Sequence, residues 1–246
     1  MYDRVLQSLV KTPKLPMTAF PPIQEHTTKF CLVIKNVLSE QECKDLIALT
    51  EDQGYEPALV NIGGGNQILI SDYRNSDRCI IDSPEIAEAI YQRIQKFVPK
   101  EFQSMHAVGL NERLRFLRYG AGNFFQPHCD GAFIRGPEAG NRCGERSHIT
   151  MMLYLNGGME GGATRFFVGP DQSIVVDVVP QPGQILLFQH NILHEGSLVT
   201  GRLKYSVRTD MMYTSRGPGH EYSKHPIQLG HDRKAKDVLY GNGFRR

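Results

Sequence analysis

The stretch of sequence that decides the fold reads RLRFLRYGAGNFFQPHCD and spans residues 113–130. Its first part, Arg113–Tyr119, follows the two-residue period of a half-buried strand. The turn-forming run GAGN follows at residues 120–123, and a second strand is expected over Gln126–Asp130. The spacing of apolar residues along the chain therefore changes near residue 110, from the helical period found before it to the two-residue period of strands.

The two-residue period continues as far as residue 213, with turn-forming glycine, proline and asparagine between the segments. Six further strands are predicted, over His148–Asn156, Ala163–Val168, Ser173–Val179, Gln184–Gln189, Gly196–Val199 and Leu203–Tyr213. Eight short strands within about 100 residues are typical of a barrel or a jelly roll. The fold class expected is therefore mainly β with flanking helices.

Two helices are predicted before the strand-rich region, after a strand over residues 30–34. Ser39 and Glu42 form a capping box at the start of the first helix, and Ser83-Pro84 opens the second. We expect these helices to cover one outer face of the barrel. Residues 1–29 contain four prolines and are predicted to be an extended arm with a short helix at Asp3–Lys11.

These patterns divide the chain into three parts. The expected domain covers 30–213, with its core at 111–213, between the arm at 1–29 and a polar tail at 214–246. We expect the tail to wrap the barrel or to be partly disordered.

The composition narrows the function classes. The 246 residues carry 28 Lys and Arg against 26 Asp and Glu, a balance that disfavours a nucleic-acid partner. The sequence shows neither an apolar run of membrane-spanning length nor a secretory signal, so we expect no membrane partner. Five cysteines without a C-x-x-C pair are typical of reduced thiols, which favours a cytoplasmic protein. The sequence does not indicate an oligomeric state.

The pattern His128-Cys129-Asp130, followed by His194, is the candidate for chemistry. Residues i and i+2 of a strand share a face, so His128 and Asp130 can reach one ion while Cys129 packs on the other side. Two histidines and one carboxylate occupy one face of an octahedron and leave the opposite face open, as non-haem Fe(II) oxygenases require. The alternative is a surface His and Asp at a turn after Pro127.

Several short motifs surround this pattern. They are the run Arg118-Tyr119-Gly120, a T-x-x-x-Y strand from Thr150 to Tyr154, and the turn Gly161-Gly162-Ala163-Thr164. With them, residues 30–213 resemble the 2-oxoglutarate- and Fe(II)-dependent dioxygenases, specifically the prolyl 4-hydroxylase-like branch. The resemblance implies a double-stranded β-helix, or jelly-roll, core. It also implies Fe(II) held by His128, Asp130 and His194, with 2-oxoglutarate and O2 as co-substrates and ascorbate as a candidate reductant.

The resemblance also implies residues for 2-oxoglutarate. Lys204 lies ten positions after His194 and matches the basic residue that grips the far carboxylate in that family, with Arg208 as its rival. Ser206 shares the strand face of Lys204, and Tyr119 and Tyr154 match the family's hydroxyl donors. From the residues alone, Lys204 is either surface-facing or paired, because an unpaired buried ammonium costs several kcal/mol.

The segment Gly63–Gly65 lies in a long stretch between the two predicted helices. It is either a surface hairpin turn or a mobile lid over the barrel mouth. On the lid hypothesis Tyr73, Arg74 and Arg78 are candidate substrate contacts, and Arg115 is a further one on its strand.

The function expected is hydroxylation of a C–H bond with release of succinate and CO2. The resemblance favours a prolyl residue or a proline-like amino acid as substrate, in a peptide or as a small molecule. No catalytic residue beyond the metal ligands is predicted. The alternative is a non-catalytic jelly-roll protein that binds a metal or an anion.

Overall fold

The computed structural model describes residues 1–11, 15–61 and 66–216. Its helices are α1 (Tyr2–Lys11), α2 (Glu40–Gln53) and α3 (Pro84–Ile94), with single 3-10 segments at Gln95–Phe97 and Pro137–Arg142. Its strands are β1 (Thr18–Phe20), β2 (Cys31–Lys35), β3 (Glu56–Pro57), β4 (Val60–Asn61), β5 (Gln67–Ile68), β6 (Asp77–Asp82), β7 (Glu101–Phe102), β8 (Met105–Leu110), β9 (Arg113–Tyr119), β10 (Phe125–His128), β11 (Arg146–Tyr154), β12 (Glu160–Gly161), β13 (Thr164–Val168), β14 (Ile174–Val178), β15 (Gln184–Gln189), β16 (His194–Gly196), β17 (Val199–Thr200) and β18 (Lys204–Thr214).

Two antiparallel sheets contain most of the strand residues of the described chain. The larger has the order β1-β2-β15-β11-β18-β9-β6-β3, with β8 also paired to β18 and β7 to β8. The smaller has the order β10-β16-β13-β14. The predicted class, mainly β with a jelly-roll core and flanking helices, is confirmed.

Most predicted strands are confirmed to within two residues, but two predictions near the candidate ligands are wrong. The expected strand Gly196–Val199 is instead the end of β16 and the start of β17. Strand β10 ends at His128, two residues before the predicted end, after an irregularity in its pairing with β16 between Phe125 and His128. Asp130 therefore lies beyond the strand, where its backbone N–H donates to the carbonyl of His190 at 2.9 Å.

The helices cover the outer face of the larger sheet, as predicted. The capping box of Ser39 and Glu42 is present at α2, and Ser83 caps α3 with proline at its first position. A buried ion pair joins the two helices, with Arg93 Nη2 2.6 Å from Glu42 Oε1. The core between helices and sheet is formed by apolar side chains that include Leu46, Ile86, Ile90, Phe116, Met151 and Leu153.

The first helix belongs to this outer layer. Val5 and Leu9 of α1 are buried in the same core, and the guanidinium of Arg93 donates to the carbonyl of Leu9. The segment predicted as an extended arm thus contains a packed helix, which begins one residue before the expected Asp3, and the short strand β1. The domain boundaries at 29 and 213 stay a prediction.

A second core lies on the inner face of the larger sheet, opposite the helices. It is formed by apolar residues that include Val33, Tyr154, Phe166, Leu186, Phe188 and Ile192. Strand periodicity explains the division, since Leu153 faces the helices while Tyr154 faces inward. Polar residues at the inward positions are therefore directed toward the interior of the jelly roll.

Three further predictions concern segments at the limits of the described residues. Gly63–Gly65 lies outside them, although β4 and β5 on either side pair Val60 with Ile68. The tail from 217 onward also lies outside. Among the described helices, we find none with the length and apolar character needed to cross a membrane.

Candidate metal centre and active site

The three residues of the predicted triad come together at one end of the smaller sheet. His128 closes β10, His194 opens β16, and the two are directly paired in the sheet. One ligand atom from each of His128, Asp130 and His194 lies within 4.8 Å of the others. The two histidines are 66 positions apart in sequence, and one strand pairing brings them together.

Backbone carbonyls orient both imidazoles. Nδ1 of His128 donates to the carbonyl of Gln126 at 2.7 Å, and Nδ1 of His194 donates to that of Ile192 at 2.9 Å. Each Nε2 is then free to act as a ligand, 3.9 Å and 3.8 Å respectively from a carboxylate oxygen of Asp130. Such a second hydrogen bond to each ligating histidine fixes its tautomer and ring orientation.

The protonation states also suit a metal. Burial, together with the neighbouring His194, lowers the pKa of His128 to about 4, and burial lowers that of His194. Burial raises the pKa of Asp130, but the adjacent Arg208 guanidinium outweighs it and holds the pKa well below its usual range. Neutral imidazoles and an ionised carboxylate are the forms that bind a cation, so the donor set fits Fe(II).

Aromatic rings shield the triad. Phe125 stacks on the ring of His128 with centroids 3.7 Å apart, and Phe188 lies edge-on to His194 at 4.6 Å. Phe166 completes this wall, with its centroid 6.1 Å from that of His194. The apolar wall restricts water on this side of the candidate metal position.

Lys204 is the unusual cation of the interior. It is only 4% exposed, and no carboxylate of the described residues lies within 4.0 Å of its ammonium. Its Nζ lies 5.0 Å from the ring centroid of Tyr119 and 5.8 Å from that of Tyr154. Burial lowers the pKa of Lys204 to about 8. Lys204 is therefore not surface-facing, and the expectation that it is paired with a co-substrate carboxylate stays a prediction.

The predicted hydroxyl donors lie around Lys204. Ser206 is buried two residues along the same strand, and Tyr119 is buried on β9 opposite Lys204. The hydroxyl of Tyr154 donates to Thr164 Oγ1 at 2.7 Å and retains its capacity to accept. Thr164 was not predicted as a site residue, although it closes the Gly161–Thr164 motif.

Arg208, the predicted rival of Lys204, already has partners. Its Nη2 lies 3.0 Å from Asp130 Oδ1 and 3.2 Å from Asp210 Oδ1. The two cations therefore differ in kind, since Arg208 is neutralised by carboxylates and Lys204 is not. Sequence reasoning missed Asp210, although its even spacing from Lys204 on β18 places it on the same face. His190 is buried beside Asp210, with its Nε2 3.5 Å from Asp210 Oδ1.

The four residues predicted to contact the substrate do not all touch one another. Tyr73 and Arg74 border the triad, since both contact the ring of Phe125. Arg78 instead contacts Glu56 and Gln67, beside a groove of about 410 Å³. Nη1 of Arg115 lies 3.6 Å from Asp210 Oδ2.

Cys129, predicted to be a packed thiol, is exposed. The prediction was wrong because the chain has left β10 by this residue and no longer presents alternate side chains to a core. Burial of part of the side chain raises the pKa of this thiol. A raised pKa agrees with the expectation that Cys129 is not a nucleophile.

Comparison with known proteins agrees with this geometry. The family model of the 2OG-Fe(II) oxygenase superfamily matches residues 114–209. Prolyl 4-hydroxylase 1 of Arabidopsis thaliana is 28% identical over 165 residues, which are 64% of this chain and 56% of the plant protein. The chain thus spans little more than half the length of that relative.

Two solved structures share the fold. A prolyl-4-hydroxylase from Pseudomonas putida superposes with a TM-score of 0.54 at 20% identity, over 86% of this chain and 98% of the other. A prolyl hydroxylase from Trichoplax adhaerens, in complex with a peptide fragment of hypoxia inducible factor, gives 0.54 at 14% identity, over 87% and 88%. With the family match over β9–β18 and the curated relative, they lead to one conclusion. Residues 114–209 carry a 2OG-Fe(II) oxygenase domain, and the chain is prolyl 4-hydroxylase-like.

Proposed function

We propose that this protein hydroxylates a prolyl residue of a peptide or protein, using 2-oxoglutarate and O2 and releasing succinate and CO2. His128, Asp130 and His194 would hold Fe(II), which when bound activates dioxygen for the oxidation of a C–H bond. The Arabidopsis relative and the Pseudomonas structure are prolyl 4-hydroxylases by name, and the Trichoplax structure contains a peptide. These likenesses support a peptide substrate.

In this proposal Lys204 binds the far carboxylate of 2-oxoglutarate. The ammonium is buried without a carboxylate partner among the described residues, and a dianionic co-substrate supplies one. A charge-assisted hydrogen bond of this kind contributes about 1.5–3 kcal/mol. In this proposal Ser206, two residues along β18, and Tyr119, the β9 partner of Lys204, add hydroxyl donors, while the hydroxyl of Tyr154 donates to Thr164.

Two other residues prepare the metal position. Thr150 donates its hydroxyl hydrogen to Asp130, and Arg208 pairs with the same carboxylate. Together they fix the carboxylate and keep it ionised. Phe188 and Phe166 exclude water from the side of His194, which limits unproductive reaction away from the substrate.

The observation that carries the proposal is that one jelly roll contains both a metal-binding triad and a buried lysine that pairs with no carboxylate of the described residues. A simple metal-binding protein requires the triad but gives no reason to bury Lys204 at an energetic cost. The family match likewise does not favour the non-catalytic alternative.

The test is succinate release by the Fe(II)-loaded full chain with a library of proline-containing peptides and, separately, free amino acids. Peptide-dependent succinate and a product 16 Da heavier would support prolyl hydroxylation. An Asp130→Ala variant is the matched negative control. Succinate release that depends only on free amino acids would refute the assignment of a peptide substrate. Failure of the Fe(II)-loaded protein to bind 2-oxoglutarate in an anaerobic titration would refute the assignment of the co-substrate.

A further inference from the structure

Four arginines line the interior or its mouth on the side of β6, β9 and β18. Arg78 on β6 and Arg115 on β9 alternate with Cys79 and Phe116, which face the helical core, so both arginines are on the inner face. Arg208 is on the inner face of β18 next to the triad. Arg74 precedes β6 and lies over the ring of Phe125, which stacks on the triad residue His128.

Arg74 is one aromatic ring away from a proposed metal ligand. Its guanidinium carbon lies 4.7 Å from the ring centroid of Phe125, and that ring stacks on His128 at 3.7 Å. Its Nε donates to Ser76 Oγ at 3.1 Å. Within the described residues, no carboxylate lies within salt-bridge distance of Arg74.

The charges of this region do not balance. Five cations face it, namely Arg74, Arg78, Arg115, Lys204 and Arg208, and the carboxylates that pair with them are Glu56, Asp130 and Asp210. Fe(II) and the dianion of 2-oxoglutarate cancel each other in this count. The site loaded with Fe(II) and 2-oxoglutarate therefore keeps a net charge of about two positive units. Among the cations without an assigned anionic partner, Arg74 lies closest to the triad.

The environment of Arg74 adds support. Burial lowers the pKa of its guanidinium, Tyr119 opposes this, and the nearby Arg208, Arg78 and Arg115 add to the lowering. A guanidinium among three others is stabilised by a bound anion, and its planar fork suits a carboxylate in particular.

We propose that the prime substrate is an acidic peptide, with a Glu or Asp side chain next to the hydroxylated prolyl residue, and that Arg74 binds this carboxylate. The inference rests on the proposed function and specifies its substrate class. The α-carboxylate of free proline offers the same chemistry from a different source, so the test must separate the two.

The test uses the full chain loaded with Mn(II) and 2-oxoglutarate under nitrogen, which measures binding without turnover. Two fluorescein-labelled proline peptides differ only in Glu or Gln next to proline, and fluorescence anisotropy gives each Kd. We expect the Glu peptide to bind about tenfold more tightly, with the difference shrinking at high salt. Arg74→Gln should abolish the preference, and Arg74→Lys should retain part of it.

Lys44→Gln is the charge-matched control, because it removes one exposed cation from α2, far from the mouth. It should leave the Glu preference unchanged. The wild-type comparison of the two peptides needs no variant, so it decides the question even if Arg74→Gln fails to fold.

Three outcomes would overturn the proposal. Equal affinity for both peptides would refute the acidic preference while leaving prolyl hydroxylation intact. Displacement of the Glu peptide by free proline at similar concentration would assign the carboxylate to a free amino acid. Binding of neither peptide, with 2-oxoglutarate bound normally, would refute the peptide substrate itself.

Discussion

Replacing Lys204 by methionine should change stability and co-substrate affinity in opposite directions. Lys204 is 4% exposed, and burial lowers its pKa from 10.5 to about 8. Since one pKa unit corresponds to about 1.4 kcal/mol, the charged form costs about 3 kcal/mol at pH 7. Methionine has a similar shape without the charge. Lys204→Met should therefore raise the free energy of unfolding of the ligand-free protein by about 2–3 kcal/mol.

The pH dependence of this gain has a definite sign. Below the folded-state pKa of about 8 the lysine is charged in both states, so the full penalty applies. Between that pH and the unfolded value the unfolded chain binds more protons, and wild-type stability rises with pH. The advantage of the methionine variant should therefore narrow above about pH 8 and be nearly gone near pH 10.5.

The same variant should bind 2-oxoglutarate about 10- to 100-fold more weakly, because it loses a charge-assisted bond. Urea unfolding of the metal-free protein measures the first effect, and anaerobic calorimetry with Mn(II) measures the second. Lys44→Met, at an exposed position of α2, is the control and should change neither. A Lys204→Met variant that is less stable without ligand, yet binds 2-oxoglutarate as tightly as wild type, would refute the reasoning.

Three further predictions follow from the ion pairs. Asp130→Ala should prevent tight Mn(II) binding and succinate release, because it removes the anionic ligand; normal metal affinity in calorimetry would contradict this. Arg208→Ala should weaken 2-oxoglutarate binding less than Lys204→Ala, because carboxylates already neutralise Arg208; the reverse order in titrations would make Arg208 the anchor. Arg93→Met should lower the free energy of unfolding by about 3–5 kcal/mol, because Glu42 stays buried without its partner; urea unfolding measures this, and activity per folded molecule should not change.

Much of the fold could be predicted because the sheet pattern is local. The two-residue period gives β9 and β15 to the residue, and the capping box gives the start of α2. Strands β6 and β8 were not predicted. The first begins and ends with aspartate, and the second contains Gly109 at a positive φ of 141°, so neither shows a plain strand pattern.

The predicted triad lies together for a reason that sequence shows only in part. The spacing of His128 and Asp130 suggested a common strand face, but Asp130 reaches the site from beyond the strand, through a backbone bond to His190. The pairing of β10 with β16 then brings His194 into place. Charge balance between strands is harder still to predict from sequence, because the carboxylates near Arg208 and the lack of one near Arg74 within the described residues depend on parts of the chain that are far apart in sequence.

The buried lysine links stability to the proposed chemistry. A penalty of about 3 kcal/mol is a large part of the 5–15 kcal/mol that stabilises a typical domain. A ligand that binds only the folded state raises the free energy of unfolding by about 2.7 kcal/mol at a concentration 100 times its Kd. 2-Oxoglutarate at such a concentration would offset most of what burying Lys204 costs. The proposed co-substrate site thus accounts for an interior that packs an ammonium between Tyr119 and Tyr154, where a neutral side chain would make a more stable protein.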